Sequence, residues 1–194
     1  MKPAPLTPLR RLPGLLRTVV ACTAAALGCG GVTAAPGHAH EHGVMSLDIV
    51  VEPTRLSISM RSPLDNLVGF EQAPRTAAQR AKVAAMVSRL KAAEQLFRID
   101  PAAGCTLNEV RLDAPVLGVR LPETSASAAA PNDGHGDLEA DFEFRCTGAN
   151  PAAHLDLGVW EAFNGLKRIE VQRVTPRGQG RQTLRRPTPR LALR

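Results

Sequence analysis

The sequence predicts an α+β fold in which antiparallel β-strands form sheets and one main helix packs against them. Apolar and polar residues alternate over several short stretches, most regularly over 138–146, as they do in strands with one buried face. One longer stretch, 83–97, instead repeats apolar residues at helical spacing. With 194 residues, the chain is long enough for one domain with a substantial core.

The first 34 residues are typical of an export signal. An uncharged, alanine-rich run over 18–31 follows a positive start made of Lys2, Arg10, Arg11 and Arg17. Cleavage is expected after Ala34, and the mature chain then carries no membrane-spanning segment. A lipoprotein is the alternative, because the residues that end at Cys29 fit a permissive lipobox and would place a lipid anchor there. The predicted location is therefore the periplasm, with an outer-membrane lipoprotein as the second possibility.

The first half of the mature chain predicts a hairpin and then a short helical turn. Stretches 44–51 and 55–60 are rich in β-branched and aliphatic residues and are close enough to pair as neighbours. A helical turn is expected over 62–70, with Ser62 as its cap and Gly69 at its exit.

The main helix is predicted to begin at a capping box formed by Thr76 and Gln79. It ends before Asp100 and Pro101. One apolar stripe should face a sheet, and its members are Val83, Met86, Leu90, Ala93 and Phe97.

A second strand pair is predicted over 105–113 and 138–146. The apolar phase of the first strand shifts by one position, which indicates a bulge near Asn108. If the strands run antiparallel, Cys105 at the start of one lies beside Cys146 at the end of the other. Two cysteines in an exported mature chain favour one disulfide, and this register supports it.

The remaining segments are a loop and further strands. Residues 123–136 are small, polar and aperiodic, so we expect a mobile loop. Strands are expected over 154–160, 169–174 and from 182 to the end, with a turn through 163–165.

The order of motifs suggests an internal ββα-like duplication. His42 and Gly43 precede one strand, and His135 and Gly136 precede another. Each of these strands is followed by a second strand and then by a short turn that contains a phenylalanine. A duplication would place the two His-Gly pairs at related positions.

Four segments follow from these assignments. They are the signal peptide 1–34, a flexible histidine-rich N-terminus 35–43, a single α+β domain 44–176 and a basic C-terminal segment 177–194.

Charge is segregated along the chain. The formal net charge is +6, but four cations leave with the signal, and no acidic residue follows Glu170 while seven arginines do. That arginine-rich end contains no aromatic residue, which argues against nucleic-acid binding. It is expected to lie against the acidic body or an anionic envelope surface, or to be a solvated end.

Three of the five histidines, His38, His40 and His42, lie within five residues. In an extended chain alternate side chains point to one side, so the three imidazoles can converge on one cation while Glu41 points away. Imidazole suits zinc, and copper is the rival ion because Cu(II) binds nitrogen sites more tightly. His135 is the candidate fourth ligand, and the other weaker candidate in its loop is Asp133.

Two further groups have structural explanations. His154 precedes a predicted strand and is expected to be a hydrogen-bonded surface histidine. A disulfide would remove both mature cysteines as metal ligands. Asp65, Asn66 and Glu71 could line a polar site, although capping and structural roles explain them as well.

Four blocks of this sequence together resemble a bacterial family of periplasmic, histidine-rich zinc-binding proteins, formerly known as a domain of unknown function. The blocks are HAHEHG at 38–43, SPLDNLVGFEQAPRT at 62–76, DLEADFEFRC at 137–146 and PRGQ at 176–179. The resemblance covers about His38 to Leu193, and its most specific part is block 62–76.

The resemblance implies packed β-sheets with a central helix and a role in assisting zinc uptake. It implies a partner in the zinc-uptake binding protein or importer of the envelope. Family members that bind several zinc ions carry a long histidine-rich insertion where this chain has 123–136 with His135 alone. We therefore expect a low-capacity protein that binds or hands over zinc.

No enzyme motif is present: the sequence lacks G-x-S-x-G, H-E-x-x-H and a phosphate-binding glycine loop. We expect a protein without enzymatic activity. The alternative function is a non-metal envelope interaction module, or a lipoprotein, that docks a partner protein.

Overall fold

Alternating apolar residues build two β-sheets, and most of their strands bury one face. The computed structural model describes residues 41–122 and 136–193. The strands are β1 Val44–Val51, β2 Arg55–Pro63, β3 Phe97–Ile99, β4 Cys105–Ala114, β5 Val119–Leu121, β6 Asp137–Cys146, β7 His154–Leu157, β8 Arg168–Thr175, β9 Gly178–Arg185 and β10 Arg190–Ala192. Seven of them form a sheet in the order β5-β4-β6-β2-β1-β8-β9, and three form a smaller sheet in the order β10-β7-β3.

The helices of the described residues are short, with one exception. They are α1 Asp65–Val68, α2 Ala77–Lys91, α3 Ala93–Leu96 and α4 Val159–Ala162, with 3-10 turns at Pro101–Ala103 and Pro115–Leu117. Within the described ranges, none of the helices is long and apolar enough to cross a membrane.

β1 is an inner strand of the large sheet and has a different kind of partner on each side. It pairs antiparallel with β2, which confirms the predicted hairpin. It pairs parallel with β8, from Val44 opposite Arg168 to Val50 opposite Val174. The large sheet is therefore mixed, and the expectation of purely antiparallel sheets is wrong at this pair. A parallel neighbour requires a long crossover, and here most of the domain lies between the two strands.

A single apolar core lies on one face of the large sheet. Met45, Leu47 and Ile49 of β1 are at most 1% exposed. Phe97 of β3 lies against Phe142 of β6, with ring centroids 5.1 Å apart, so the small sheet packs on this face. Aromatic pairs at this separation add to the free energy gained from burial.

The α+β class is confirmed, but a central position for the main helix is not. Thr76 and Gln79 form the predicted capping box at the start of α2. The helix ends at Lys91, and α3 and β3 follow, so Phe97 belongs to a strand and not to the helical stripe. Only Val83, Met86 and Leu90 of α2 are buried.

The turn predicted over 62–70 is confirmed as α1, with a different beginning. Ser62 lies in β2, fully buried, and the helix is preceded by Leu64 without a side-chain cap. The predicted cap at Ser62 is wrong, because a serine before a proline has the same local pattern at a helix start and at a strand end. Gly69 ends the helix in the left-handed conformation, with φ of 82°, as predicted.

The strand predicted over 154–160 is too long. It ends at Leu157, and Trp160 lies in α4, where its indole Nε1 donates a hydrogen bond to Thr188 O at 2.8 Å. A helix of one turn is too short to produce a helical repeat in the sequence.

The C-terminal residues contribute strands to both sheets. β9 pairs antiparallel with β8, and β10 pairs antiparallel with β7. The suggested duplication is not confirmed, because β1 and β2 pair with each other whereas β6 and β7 lie in different sheets.

Strands β4 and β6 pair with each other and are linked by a disulfide. The register shifts between Leu107 and Glu109, which confirms the bulge predicted near Asn108. Cys105 lies opposite Cys146, and the two sulfurs form the predicted disulfide.

Replacing both Cys105 and Cys146 by alanine should lower the free energy of unfolding. The disulfide closes a loop with a sequence separation of 41. Loss of that constraint on the unfolded chain costs about 4 kcal/mol on the loop-entropy model. Chemical denaturation under oxidising conditions measures the difference, and the reduced wild-type protein should match the variant. Equal stability of the oxidised and reduced wild-type protein would contradict the prediction.

Candidate metal centre

His42 is fixed at the beginning of β1 by backbone contacts around Gly43. Gly43 has φ of 88°, a conformation that glycine adopts readily. Its carbonyl oxygen accepts hydrogen bonds from Lys167 N at 2.8 Å and Arg168 N at 2.9 Å. A Cβ at Gly43 would lie 2.8 Å from Lys167 Cδ, so any larger residue would also disturb this contact. The chain therefore reaches β1 along a defined path.

Asn66 of α1 also binds the backbone of Gly43 and Val44, through its side-chain amide. Its Oδ1 accepts from Gly43 N at 2.6 Å, and its Nδ2 donates to Val44 O at 2.8 Å and to Ser62 Oγ at 3.1 Å. The side chain is only 3% exposed. Because buried polar groups are costly when unpaired, this set of hydrogen bonds ties β1, β2 and α1 together.

Two carboxylates face the imidazole of His42. Glu71 Oε1 lies 3.1 Å from Nε2, and Asp65 Oδ2 lies 3.8 Å from Nδ1. The His42 side chain is 58% exposed, whereas that of Glu71 is 18% exposed. A carboxylate that accepts from one ring nitrogen orients the ring and makes the other nitrogen a better metal ligand.

The chain that follows the segment 123–135 returns beside the backbone of Glu71. Gly136 O accepts from Leu64 N at 2.9 Å. A Cβ at Gly136 would lie 2.6 Å from Glu71 O and 2.7 Å from Leu64 Cδ1, so only glycine fits between these groups. Gly136 is therefore held against the residue whose carboxylate contacts His42.

Of the four predicted metal ligands, His42 is the one that the structure describes. His38, His40 and His135 lie outside the described residues, as does Asp133. In the described ranges, no three histidine, cysteine, aspartate or glutamate side chains are arranged to hold a metal ion. The predicted ligand set therefore stays a prediction.

Glu41 is held away from this group by Arg168, although the chain turns at His42 and Gly43 and is not extended as predicted from the sequence. It forms a bidentate pair with Arg168, with distances of 3.2 and 2.7 Å from the two guanidinium nitrogens. Hydrogen bonding and the positive charge of Arg168 lower the pKa of Glu41. The carboxylate therefore stays ionised and anchors the N-terminal side of β1 to the first residue of β8.

His154 lies at the start of β7, partly exposed and beside a carboxylate, and its predicted side-chain hydrogen bond stays a prediction. Its Nδ1 lies 3.6 Å from Asp100 Oδ2, and its side chain is 25% exposed. Asp100 also accepts from Ala102 N and from Ala153 N, both at 3.0 Å. These contacts of Asp100 fix the turn between β3 and β4. His154 is the first residue of β7 in the small sheet.

The partnership of His42 with Asp65 and Glu71 could not be found from the sequence. The sequence indicated only that Asp65, Asn66 and Glu71 could line a polar site. Glu71 is 29 positions from His42, and no periodicity relates the two. The only available signal was the density of polar residues in the otherwise apolar block 62–76.

The sequence was compared with models of known protein families, and one family matches. Residues 39–193 match a family model described as ZrgA family zinc uptake protein. The match covers most of the chain and includes His40, His42, His135 and all of the described elements. No curated protein matches the chain.

Replacing Asn66 by alanine should loosen the beginning of β1. It leaves Gly43 N without its acceptor in a buried position, which costs about 1 to 3 kcal/mol of unfolding free energy. Denaturant titration measures the loss, and hydrogen exchange at Gly43 locates it. The exposed Asn164→Ala variant is the matched control and should change stability little. An equal effect of both substitutions would contradict the assignment.

Proposed function

The chain belongs to the ZrgA family of zinc uptake proteins, and we propose that it binds zinc around His42 in the periplasm and hands it to an uptake partner. The observation that carries the proposal is the position of His42, which is held by the Asn66 hydrogen bonds with Glu71 against its ring. A zinc ligand needs this kind of orientation, because an exposed imidazole otherwise loses side-chain entropy on binding.

The proposed ligands are His42 with His38, His40 and His135. Imidazole nitrogen and carboxylate oxygen are the donors that zinc accepts in tetrahedral sites. His135 is included because its neighbour Gly136 lies against Glu71. Glu71 either orients His42 or supplies an oxygen to the ion. Copper(II) fits the same nitrogen donors and is the competing ion.

The exposure of His42 supports transfer of the ion. Its side chain is 58% exposed, so a partner's ligand can approach a metal bound there without unfolding of the domain. Ligands on the N-terminal side of β1 must be ordered when the ion binds, and this cost makes the affinity moderate. The single histidine of segment 123–135 supports a low capacity.

Location and partner follow from the export signal and the family. We propose a periplasmic protein whose recipient is a zinc-uptake binding protein or importer, with attachment through Cys29 as the lipoprotein alternative. The disulfide between Cys105 and Cys146 suits an oxidising compartment.

Replacing His38, His40 and His42 by alanine together should weaken zinc binding at least about tenfold, because each imidazole supplies a donor for the ion. Isothermal titration with zinc measures the change, and circular dichroism checks the fold. His154→Gln is the matched control, since His154 contacts Asp100 in the small sheet. Unchanged affinity of the triple variant would reject the site, and no zinc binding by the wild-type protein would favour the non-metal interaction module.

Glu71→Gln should weaken zinc binding without loss of the fold. The amide is isosteric but uncharged, and removal of an orienting carboxylate typically costs about 10- to 100-fold in metal affinity. Competition with a chromophoric zinc chelator gives the affinity. Glu161→Gln on α4 is the control, because Glu161 is exposed and pairs with Arg98 at 3.6 Å. If both variants bind zinc as the wild-type protein does, Glu71 has no part in the site.

A further inference from the structure

β9 is the one long open edge among the described strands. It has eight residues and lies at the end of the large sheet. The opposite edge, β5, has three residues and is followed by Pro122, and the two edges of the small sheet, β3 and β10, also have three each. A row of unpaired backbone groups is a template for another strand, and short edges, prolines or charged side chains normally restrict such pairing. β9 contains no proline, and its pairing with β8 is continuous.

The side chains along this edge are cationic and exposed. Arg181 and Arg185 lie on the outer face of β9, and Arg177 lies in the turn before it. Arg173 of β8 crosses beneath the strand, with its guanidinium 3.2 to 3.3 Å from a Cβ position at Gly180. In the part of the chain that the structure describes, none of these four arginines lies within ion-pair distance of a carboxylate, although Arg181 Nε donates to Gln172 Oε1 at 3.0 Å and Arg185 acts on Glu41 at longer range.

The most acidic strand of the sheet, β6, is too distant to neutralise these arginines. The carboxylates of β6, such as Glu139 and Asp141, are four strands away in the order β6-β2-β1-β8-β9. At about 4.8 Å per strand this is roughly 19 Å, more than twice the Debye length of about 8 Å at physiological ionic strength. Nearer carboxylates include Glu41 and Glu170, which both pair with Arg168, and Asp48 of β1, which lies two strands from Arg181 with Gln172 of β8 between them.

We propose that β9 docks an acidic, extended segment of a partner protein, which adds to the large sheet as a further antiparallel or parallel strand. Backbone hydrogen bonds supply the attachment, and alternate side chains supply specificity. Acidic residues at every second position would lie over Arg181 and Arg185, while the intervening positions face Gly180 and Gln182. The proposal goes beyond zinc binding and does not depend on it.

Charge also argues against two other occupants of this edge, a second copy of the chain and the chain's own N-terminal residues. A second copy of β9 would bring the same arginines to the same edge, and like charges across paired strands are unfavourable. The first 40 residues of the chain contain four Lys and Arg residues and no acidic residue, so they do not supply the carboxylates that this edge would bind. A cationic edge thus resists pairing with itself and accepts a carboxylate-rich strand.

Hydrogen exchange of the zinc-free protein with three peptides tests the proposal. The first peptide alternates Glu and Thr, the second alternates Lys and Thr, and the third alternates Glu and Pro. The third has the charge of the first but lacks half of the backbone donors and disfavours a strand. We expect the Glu-Thr peptide alone to protect amides of residues 178–185.

Three results would overturn the proposal. Equal protection by the Glu-Pro peptide would mean that charge alone attracts the peptide. Protection by the Lys-Thr peptide would mean that the arginines do not select an acidic strand. Protection that rises with protein concentration in the absence of peptide would assign the edge to a second copy of the chain.

Charge reversal provides the matched variants. Arg181→Glu with Arg185→Glu should weaken binding of the Glu-Thr peptide at least about tenfold, since two attractive contacts become repulsive. The milder Arg181→Gln with Arg185→Gln should give a smaller loss in the same direction, and exchange at β8 amides reports whether the hairpin remains folded. Arg75→Glu with Arg80→Glu makes the same charge change beside and on α2 and should leave affinity within about twofold. An equal loss in both double reversals would overturn the assignment to β9.

Discussion

The hydrogen bonds of Asn66 are the constraint on which the arrangement of this domain depends. A single buried amide accepts from Gly43 before β1, donates to Val44 within β1 and donates to Ser62 within β2. The backbone around Asn66 also excludes a side chain at Gly165, where a Cβ would lie 2.6 Å from Asn66 O. The chain before β8 thus passes directly over the residue that fixes β1, which is compatible with the parallel pairing of these two strands.

The position of His42 is a consequence of that constraint. Its backbone is fixed through Gly43, and its ring is oriented by carboxylates of the block that contains Asn66. The two requirements of a transfer site are orientation of the ligand and access for a partner, and they conflict when a ligand is buried. Here the backbone and the carboxylate supply orientation while the imidazole stays exposed. A stability feature and the carboxylates of the proposed metal site therefore share one short block of sequence, 62–76.

Local patterns predicted those parts of the fold that depend on neighbouring residues. The hairpin, the capping box at Thr76, the exit at Gly69 and the bulge before Glu109 each leave a signature within a few positions. The disulfide required one step more, because strand phase placed Cys105 beside Cys146.

Features that depend on distant residues left no such signature. The parallel pairing of β1 with β8 and the contact of Glu71 with His42 join segments whose relation is set by packing alone. Ser62 shows the converse difficulty, because its local pattern fits a helix cap, whereas the burial of β2 determines its position. The one-turn helix that contains Trp160 is also below the length at which periodicity can be detected.

The two proposed sites lie at the same end of β8. Arg168 begins this strand, binds the carboxylate of Glu41 next to His42, and lies opposite Arg185 at the end of β9. Arg185 is close enough to contribute to the lowered pKa of Glu41. A strand bound along β9 would extend about 25 Å at the usual rise of roughly 3.3 Å per residue, and its end beside Arg185 would lie three strand spacings, roughly 14 Å, from the beginning of β1. Docking at the edge would thus hold a partner protein at the end of the sheet where His42, the proposed zinc ligand, is exposed.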